Sequence, residues 1–250
     1  MYGKIEPLKL RLKYDLRRLI YDNPSWDDPI SSIMLVRWTK NFKLVLDCKD
    51  FLYSRCIVPD NALNLKARIH ILCDAADGGI MIGVYAGFQT NNNTWTCNNI
   101  LGRSMLPPEE WTTNKKELHG LCSASNLKVV VERALDGWIE NIIIGCDSEI
   151  AIAWTVYESV KLNTFHRNRV NSIRKNVSLN QVHHVQGSEN CADVGTRPDA
   201  IDVHSLMPGS PWLSGKSWMT KSYSEAINDG VLRTVDSIKL TNEAKKAVRE

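Results

Sequence analysis

The sequence lacks the features of a membrane or secreted protein. No apolar run approaches the roughly 18 residues that a membrane-spanning helix needs. The first residues, Met-Tyr-Gly-Lys-Ile-Glu-Pro, contain no apolar signal core. We therefore expect a protein that is not secreted and that has no membrane partner.

Paired cysteines are missing as well. The seven cysteines occur one at a time, and no Cys-x-x-Cys pair is present. This spacing does not match the ligand pattern of zinc modules, and an odd number of thiols does not suggest a disulfide framework. Free, mostly buried thiols in a reducing intracellular compartment are the expected state.

Charge of one sign is not in large excess. The 31 Lys and Arg residues against 28 Asp and Glu residues give a formal net charge of +3. This mildly basic balance suits a polyanionic partner without requiring one. A hydrophobic content of 43% in 250 residues is ordinary for a globular protein of one or two domains, so a sizeable core can form.

The composition divides the chain into three parts. Residues 1–67 are helical in character, residues 68–198 alternate strands with helices, and residues 199–250 predict a linker and a charged helical tail. In the first part, a helix is expected from about Ser31 to Asp47. Asp27 and Asp28 lie between prolines ahead of that helix, which predicts turn and capping residues rather than metal ligands.

The middle part predicts an α/β fold, with a mixed sheet of five strands flanked by helices. A meander of three strands precedes a long helix, and the next strand is a continuous apolar run typical of a buried parallel strand. The expected strands are 68–74, 81–86, 99–106, 141–146 and 181–185, and the expected helices are 113–135, 149–160, 165–176 and a short one begun near residue 192.

Four carboxylates stand at strand ends and helix starts of this pattern. Asp74 ends the first strand, and Asp147 ends the strand expected beside it. Glu117 falls in the first turns of the helix over the sheet, and Asp193 opens the last helix. Each acid alone has an ordinary structural explanation. Together they are typical of a two-metal phosphodiester hydrolase, because converging negative charges are unfavourable without a cation.

The motifs around these acids resemble RNase H. Leu72-Cys-Asp-Ala-Ala76, Lys116-Glu-Leu118, Gly145-Cys-Asp-Ser148 and His184-Val-Gln-Gly-Ser-Glu-Asn-Cys-Ala-Asp193 come in the order and rough spacing of that family. The last motif, followed by Val194-Gly-Thr-Arg197-Pro198, is most similar to the RNase H region of Bel/Pao-type (LTR) retrotransposon polyproteins. The likeness covers about residues 68–220, including a stretch similar to the linker toward integrase. A weaker likeness of residues 26–62 is to the reverse transcriptase connection.

The resemblance implies a function and a set of partners. Asp74, Glu117, Asp147 and Asp193 would be the catalytic residues and the metal ligands, with two Mg²⁺ or Mn²⁺ ions as cofactor. The substrate would be the RNA strand of an RNA/DNA hybrid during reverse transcription. The reverse transcriptase and integrase parts of the same polyprotein would be further partners, in a cytoplasmic retroelement particle or in the nucleus.

One feature of the family's loop is absent. Many cellular RNases H carry a histidine in the loop before the last acid, and Gly187 stands at the corresponding position here. His184 lies earlier, in the strand, where a histidine satisfied by its neighbours is the first expectation and a proton shuttle or product-release helper the second. Ser148 and Asn190 are the other auxiliary candidates beside the acids.

Polar residues outside the acid set are candidates for nucleic-acid contact. Arg103 and Arg169 would meet backbone phosphate, and Asn126 would meet 2′-hydroxyl groups. The hairpin asparagines Asn91 to Asn93 have the same interpretation. A solvated polar surface explains all of these residues equally well.

Three other interpretations remain open. A catalytically inactive nucleic-acid-binding or scaffold remnant would keep the fold and lose an acid, and no acid is missing. A DDE-type recombinase shares the fold but places its last Glu on a late helix, whereas Glu117 comes early. A purely structural domain is the third alternative, because the front helices carry no recognisable chemistry.

Overall fold

A six-stranded mixed sheet forms the centre of the chain. The computed structural model describes residues 3–23, 25–90, 94–158, 161–239 and 241–246. The strands are β1 (Ala67–Ala76), β2 (Gly79–Gln89), β3 (Trp95–Met105), β4 (Ile139–Cys146), β5 (Val182–Val185) and β6 (Leu232–Thr234). The helices are α1 (Glu6–Asp22), α2 (Ser32–Asp47), α3 (Thr113–Ala134), α4 (Glu149–Val156), α5 (Thr164–Asn176), α6 (Asp193–Thr196), α7 (Val203–Leu206), α8 (Pro211–Ser214), α9 (Tyr223–Asn228) and α10 (Asn242–Lys246).

The strand order is β3-β2-β1-β4-β5-β6. Strands β1, β2 and β3 form an antiparallel meander, β4 is parallel to both β1 and β5, and β6 is antiparallel to β5. The predicted mixed α/β sheet is therefore confirmed, but the predicted count of five strands is wrong. The sixth strand has three residues, too few to show a period of two in the sequence, and it forms because it pairs with the edge of β5.

Strand β1 runs two residues beyond its predicted end at Asp74, and two other predicted boundaries differ from the structure by four residues. Strand β3 begins at Trp95, four residues before the predicted start, because it pairs with the whole of β2 as far as Gln89. Helix α4 ends at Val156 rather than at residue 160. The next residue, Tyr157, has an extended backbone, and its hydroxyl donates to the carbonyl oxygen of Ile238 at 2.7 Å.

One face of the sheet packs against the three long helices that follow the meander. Ile69, Ile71 and Cys73 alternate along β1 and are buried under α3, which also contacts α5. Trp154 of α4 is fully buried in the same core, and its Nε1 donates to the carbonyl oxygen of Ala244 at 2.7 Å. The C-terminal helix is thereby fixed to this layer.

The opposite face is covered by residues from both ends of the chain. Trp212 of α8 packs on the sheet where Gly83 and Gly102 face each other across β2 and β3. A Cβ atom on either glycine would lie 3.0 Å or less from the Trp212 ring. The indole Nε1 donates to the carbonyl oxygen of Lys4 at 2.8 Å, so α8 also holds the start of α1.

Arg11, one of the basic residues of α1, is buried inside the protein. Arg11 donates to Asn41 of α2 at 2.6 Å and to the carbonyl oxygen of Ile201 at 2.8 Å. Asp15, fully buried between the helices, accepts from Asn41 and from Arg37. These hydrogen bonds satisfy the buried charges and join the two front helices to the segment after α6.

All seven cysteines are free thiols, and five of them are buried. Within the described ranges, no helix has both the length and the apolar character to cross a membrane.

Candidate active site

Three carboxylates meet at one edge of the sheet. Asp74 lies near the carboxyl end of β1, and Asp147 directly follows β4, its parallel neighbour. Glu117 lies in the second turn of α3, which packs on β1. The three side chains line one small cavity together with Cys73, Ala75, Cys146 and Ser148. The sequence prediction that these acids converge therefore agrees with their placement.

Hydroxyl donors hold two of these carboxylates in place. Thr196 of α6 donates through Oγ1 to Oδ2 of the buried Asp74. Ser148 donates through Oγ to Oε2 of Glu117 at 2.5 Å, and the same Oγ accepts from the backbone N–H of Ala151 at 3.1 Å. Ser148 is thus the N-cap of α4 and a partner of the acid on α3, which accounts for its position beside the site.

Asp193 begins α6 and forms an ion pair with Arg197 one turn later, with 2.7 Å between Oδ1 and Nη2. It lies close enough for its charge to act on Asp74 and Asp147. Asn190 ties the preceding loop to β1, because its Nδ2 donates to the carbonyl oxygen of Cys73 at 2.9 Å. The structure therefore gives Asn190 a positional role next to the acids.

Burial and mutual repulsion raise the pKa of three carboxyl groups. The pKa of Asp74 rises to about 7, first because the group is buried and then because the negative charges of Asp147 and Asp193 are close. Burial also raises the pKa of Glu117, to which the charge of Asp74 contributes. Burial is again the main cause for Asp147, whose pKa rises further beside Glu117 and Asp193. The site therefore brings negative charges together where water solvates them poorly, which is unfavourable for the ionised carboxylates.

We expect this cost to appear as a pH dependence of stability. The pKa of Asp74 rises from an ordinary value of about 3.9 to about 7 in the folded protein. The folded state then binds the proton more tightly, so the stabilisation is complete below the unfolded pKa and is lost as the pH rises through the folded pKa. In chelator, the free energy of unfolding should fall between about pH 5 and about pH 8.

Urea unfolding of the wild type and of Asp74→Asn at both pH values tests this expectation. The variant should show a smaller fall, because asparagine carries no proton in this range. Equal falls in the two proteins would show that other groups cause the pH dependence.

His184 lies beside the site with both ring nitrogens engaged. Its Nε2 is 3.1 Å from the carbonyl oxygen of Asp147, and its Nδ1 is 3.4 Å from Nε of Arg233. Burial and the charge of Arg233 lower its pKa. A strand histidine satisfied by its neighbours, the first expectation from the sequence, describes this arrangement better than a proton shuttle does.

The loop glycine Gly187 reaches the site. A Cβ atom on Gly187 would lie 3.3 Å from Oδ2 of Asp147. At Gly187 the loop therefore approaches the carboxylate of Asp147 closely without a side chain.

The carboxylate oxygens of the site are chemically suited to bind a hard divalent cation. Carboxylate oxygens are the ligands of Mg²⁺ and Mn²⁺, and the raised pKa values mark negative charge that a cation would neutralise. Among the described residues, however, no group of three or more His, Cys, Asp or Glu side chains is arranged so that it could hold a metal ion. The protein donors Thr196, Ser148 and Arg197 occupy oxygens of the acids instead.

A wider cleft of about 380 Å³ opens beside the acids. Glu117, Asp147 and His184 line it together with Lys239 and Glu243 from the C-terminal part of the chain. The segment predicted to be a tail therefore contributes a wall of this cleft.

Among the described residues that were predicted to contact nucleic acid, Arg103 is exposed, whereas Arg169 and Asn126 contact other side chains of the protein. Arg103 of β3 is exposed and pairs with Ile82, which is buried in the core under α3, so it lies on the α3 side of the sheet. Arg169 stacks 3.5 Å from the ring centre of Phe165 and donates to His119 at 3.2 Å. Asn126 accepts from Ser172 and Asn176 of α5. Asn91 to Asn93 lie outside the described residues.

Sequence reasoning missed three residues of the site. Thr196 and Arg197 contact the acids, and Arg233 contacts His184. In the sequence, the first two stand only in the Val194-Gly-Thr-Arg197-Pro198 segment that follows the last motif. A Cβ atom on Gly195 would lie 2.2 Å from the Met81 side chain, so the glycine lets α6 approach β2 closely enough for Thr196 to reach Asp74.

Comparison with known proteins identifies the family. Residues 1–148 match the family model described as Pao retrotransposon-like RNaseH-like domain, which is more than half of the 250 residues. The match ends directly after Asp147, so three of the four acids lie within it. No curated protein matches the chain.

The match confirms the resemblance and the RNase H-like fold that the sequence predicted. The likenesses to the reverse transcriptase connection and to the linker toward integrase stay predictions. The chain belongs to the family of Pao retrotransposon-like RNaseH-like domains.

Proposed function

We propose that this protein is a metal-dependent endoribonuclease that hydrolyses the RNA strand of RNA/DNA hybrids during retroelement reverse transcription. The observation that carries the proposal is the convergence of Asp74, Glu117 and Asp147 at one sheet edge, with the charge of Asp193 acting on the two aspartates. Burying this much negative charge has no structural benefit without a cation.

Asp74, Glu117, Asp147 and Asp193 would hold two Mg²⁺ or Mn²⁺ ions. Such ions, when bound, supply a more acidic water and stabilise the charge that develops on the phosphate and leaving oxygens. In the metal-free protein, donors that a metal ion could replace hold carboxylate oxygens of Asp74 and Asp193. Thr196 would release Asp74, and Arg197, which is 67% exposed, would turn into solvent and release Asp193.

The other residues of the site orient the acids. Ser148 fixes the rotamer of Glu117, and Asn190 fixes the loop beside Asp74. Selection for RNA would come from contacts to 2′-hydroxyl groups across the wide minor groove of the hybrid. Arg103 is the predicted phosphate contact that the fold leaves exposed.

The partners follow from the same proposal. The hybrid would be the substrate, and the reverse transcriptase and integrase parts of the same polyprotein would accompany the domain. A cytoplasmic retroelement particle or the nucleus would be the place of action, with no membrane partner.

A strand-specific cleavage assay tests the function. The purified chain is incubated with hybrids labelled on the RNA or on the DNA strand, in Mg²⁺, in Mn²⁺ and in chelator. We expect cleavage of the RNA strand alone, only when a divalent ion is present, and no cleavage of matched DNA duplex. Hybrid binding without any cleavage would contradict the proposal and indicate an inactive nucleic-acid-binding remnant.

A further inference from the structure

The C-terminal strand β6 places an arginine against the active site. Arg233 pairs with His184 in the antiparallel register of β5 and β6, so the two side chains lie on the same face of the sheet. Its Nη2 forms an ion pair with Oε1 of Glu149, which is in the first turn of α4. Its Nε is 3.4 Å from Nδ1 of His184. One guanidinium thus contacts β5, which pairs with β4 as far as Cys146, and α4, which begins shortly after Asp147.

The chemistry of arginine fixes the direction of these hydrogen bonds. A guanidinium has only N–H donors, so Nδ1 of His184 must be the acceptor. A neutral imidazole that accepts at one nitrogen carries its proton on the other. The proton of His184 is therefore on Nε2, which donates to the carbonyl oxygen of Asp147 at 3.1 Å. The backbone of an acid in the site is held by this donor.

The same backbone segment controls a second acid. Ser148 follows Asp147, caps α4 through the N–H of Ala151, and donates to Glu117. A shift of the segment would therefore move the carboxylate of Asp147 and the donor to Glu117 together. Outer contacts of this kind commonly orient the residues that bind metal ions.

We propose that Arg233 is a positioning residue, which acts through His184 and Glu149 to fix the backbone of Asp147 and the start of α4. Residues after 198 then help to position the active site, in addition to packing on one face of the sheet. His184 serves as a fixed donor in this arrangement, since both of its ring nitrogens are in use. Only the catalytic consequence rests on the proposed function, because the positioning itself is a property of the metal-free protein.

The positioning is tested by nuclear magnetic resonance of the full chain in chelator. Long-range ¹H–¹⁵N correlation spectra report which ring nitrogen of His184 carries the proton. In the wild type, we expect a single form with the proton on Nε2. In Arg233→Met, which keeps the length of the side chain and has no donor, we expect a mixture of the two forms and shifted amide signals for Asp147 and Ser148.

Two further variants separate positioning from folding. Arg233→Lys keeps a charge for Glu149 and places no N–H at the Nε position, so it should stay folded and still change the His184 signals. Lys221→Met breaks the exposed ion pair of Lys221 with Asp229 in the same C-terminal part of the chain, and should leave His184 unchanged. Unaltered His184 signals in both Arg233 variants would overturn the proposal.

The catalytic consequence is measured separately. In the hybrid cleavage assay, Arg233→Met should lower kcat by about 10-fold to 100-fold with KM nearly unchanged, because the hybrid does not need this side chain for binding. A change in KM alone would overturn the positioning role and indicate a substrate contact. If the wild type does not cleave hybrids, the function proposed above fails, while the His184 spectra still decide the positioning.

Discussion

Asparagine in place of Asp147 is expected to abolish cleavage of the RNA strand, lowering kcat by at least about 10³-fold, equivalent to roughly 4 kcal/mol of transition-state stabilisation. Asp147 follows β4 at the point where β1 and α3 bring the other acids, and it lines the cavity that they share. The amide keeps the shape of the side chain but removes the negative charge that a divalent ion requires. Asp74→Asn should have an effect of the same size for the same reason.

Unlike the rate of cleavage, the free energy of unfolding of these variants is not expected to fall. Burial raises the pKa of both Asp74 and Asp147, and repulsion by the charge of Asp147 raises the pKa of Asp74 further. Removing one charge from the metal-free protein should therefore leave the free energy of unfolding unchanged or raise it at neutral pH. If a variant loses cleavage but keeps its free energy of unfolding, the replaced acid serves the reaction rather than the stability of the fold.

A matched acid elsewhere in the chain provides the control. Asp229 is half exposed and pairs with Lys221 away from the site, so Asp229→Asn should keep full activity and nearly full stability. If Asp147→Asn cleaves hybrids as fast as Asp229→Asn does, Asp147 takes no part in the reaction. The four-acid site would then fail even if the wild type proved to be a nuclease.

The strands and helices that position the acids could be predicted from the sequence for a simple reason. Strands β1 and β4 are largely apolar, and Asp74 and Asp147 lie at or near their carboxyl ends. Because parallel neighbours present their carboxyl ends at one sheet edge, Asp74 and Asp147 were expected to meet. The position of Glu117 in an early turn of α3, the helix over the sheet, followed from the same local logic.

The contacts that hold the acids could not be predicted, because they join parts of the chain that are far apart. Thr196 is 122 residues from Asp74, and Trp218 donates to the carbonyl oxygen of Glu189 from a segment with no regular period. A threonine or tryptophan in a polar loop gives no sign of its partner until the chain is folded. The arrangement of Arg169 is similar, since a basic residue on a helix suggests a phosphate contact and only the fold shows it stacked on Phe165.

The C-terminal region was the part least visible to sequence reasoning. Its prolines, glycines and serines are typical of a linker, and β6 is too short to show alternation. The same region nevertheless buries Trp212, Trp218 and Leu232 against the sheet. Burial of large side chains from irregular segments depends on the surface that the rest of the fold offers, such as the flat strip made by Gly83 and Gly102.

Replacing Trp212 by alanine is expected to lower the free energy of unfolding by about 3–5 kcal/mol, because the substitution removes a large buried ring and leaves a cavity. Trp212 is 1% exposed, and its ring meets that of Tyr85 edge to face at 6.3 Å between centres. Loss of the indole also frees the carbonyl oxygen of Lys4, which holds the start of α1. Urea unfolding measured by circular dichroism gives the difference directly.

Trp26 provides a control of identical chemistry, because it is fully exposed. Trp26→Ala should change the free energy of unfolding by no more than about 0.5 kcal/mol, as surface substitutions usually do. The difference between the two variants then measures what the fold gains from α8 rather than what any tryptophan contributes. Equal midpoints for the two variants would mean that the residues after 198 add little to the stability of the sheet. Residues 199–250 would then be an appendage to a domain that ends near residue 198, as the sequence predicts.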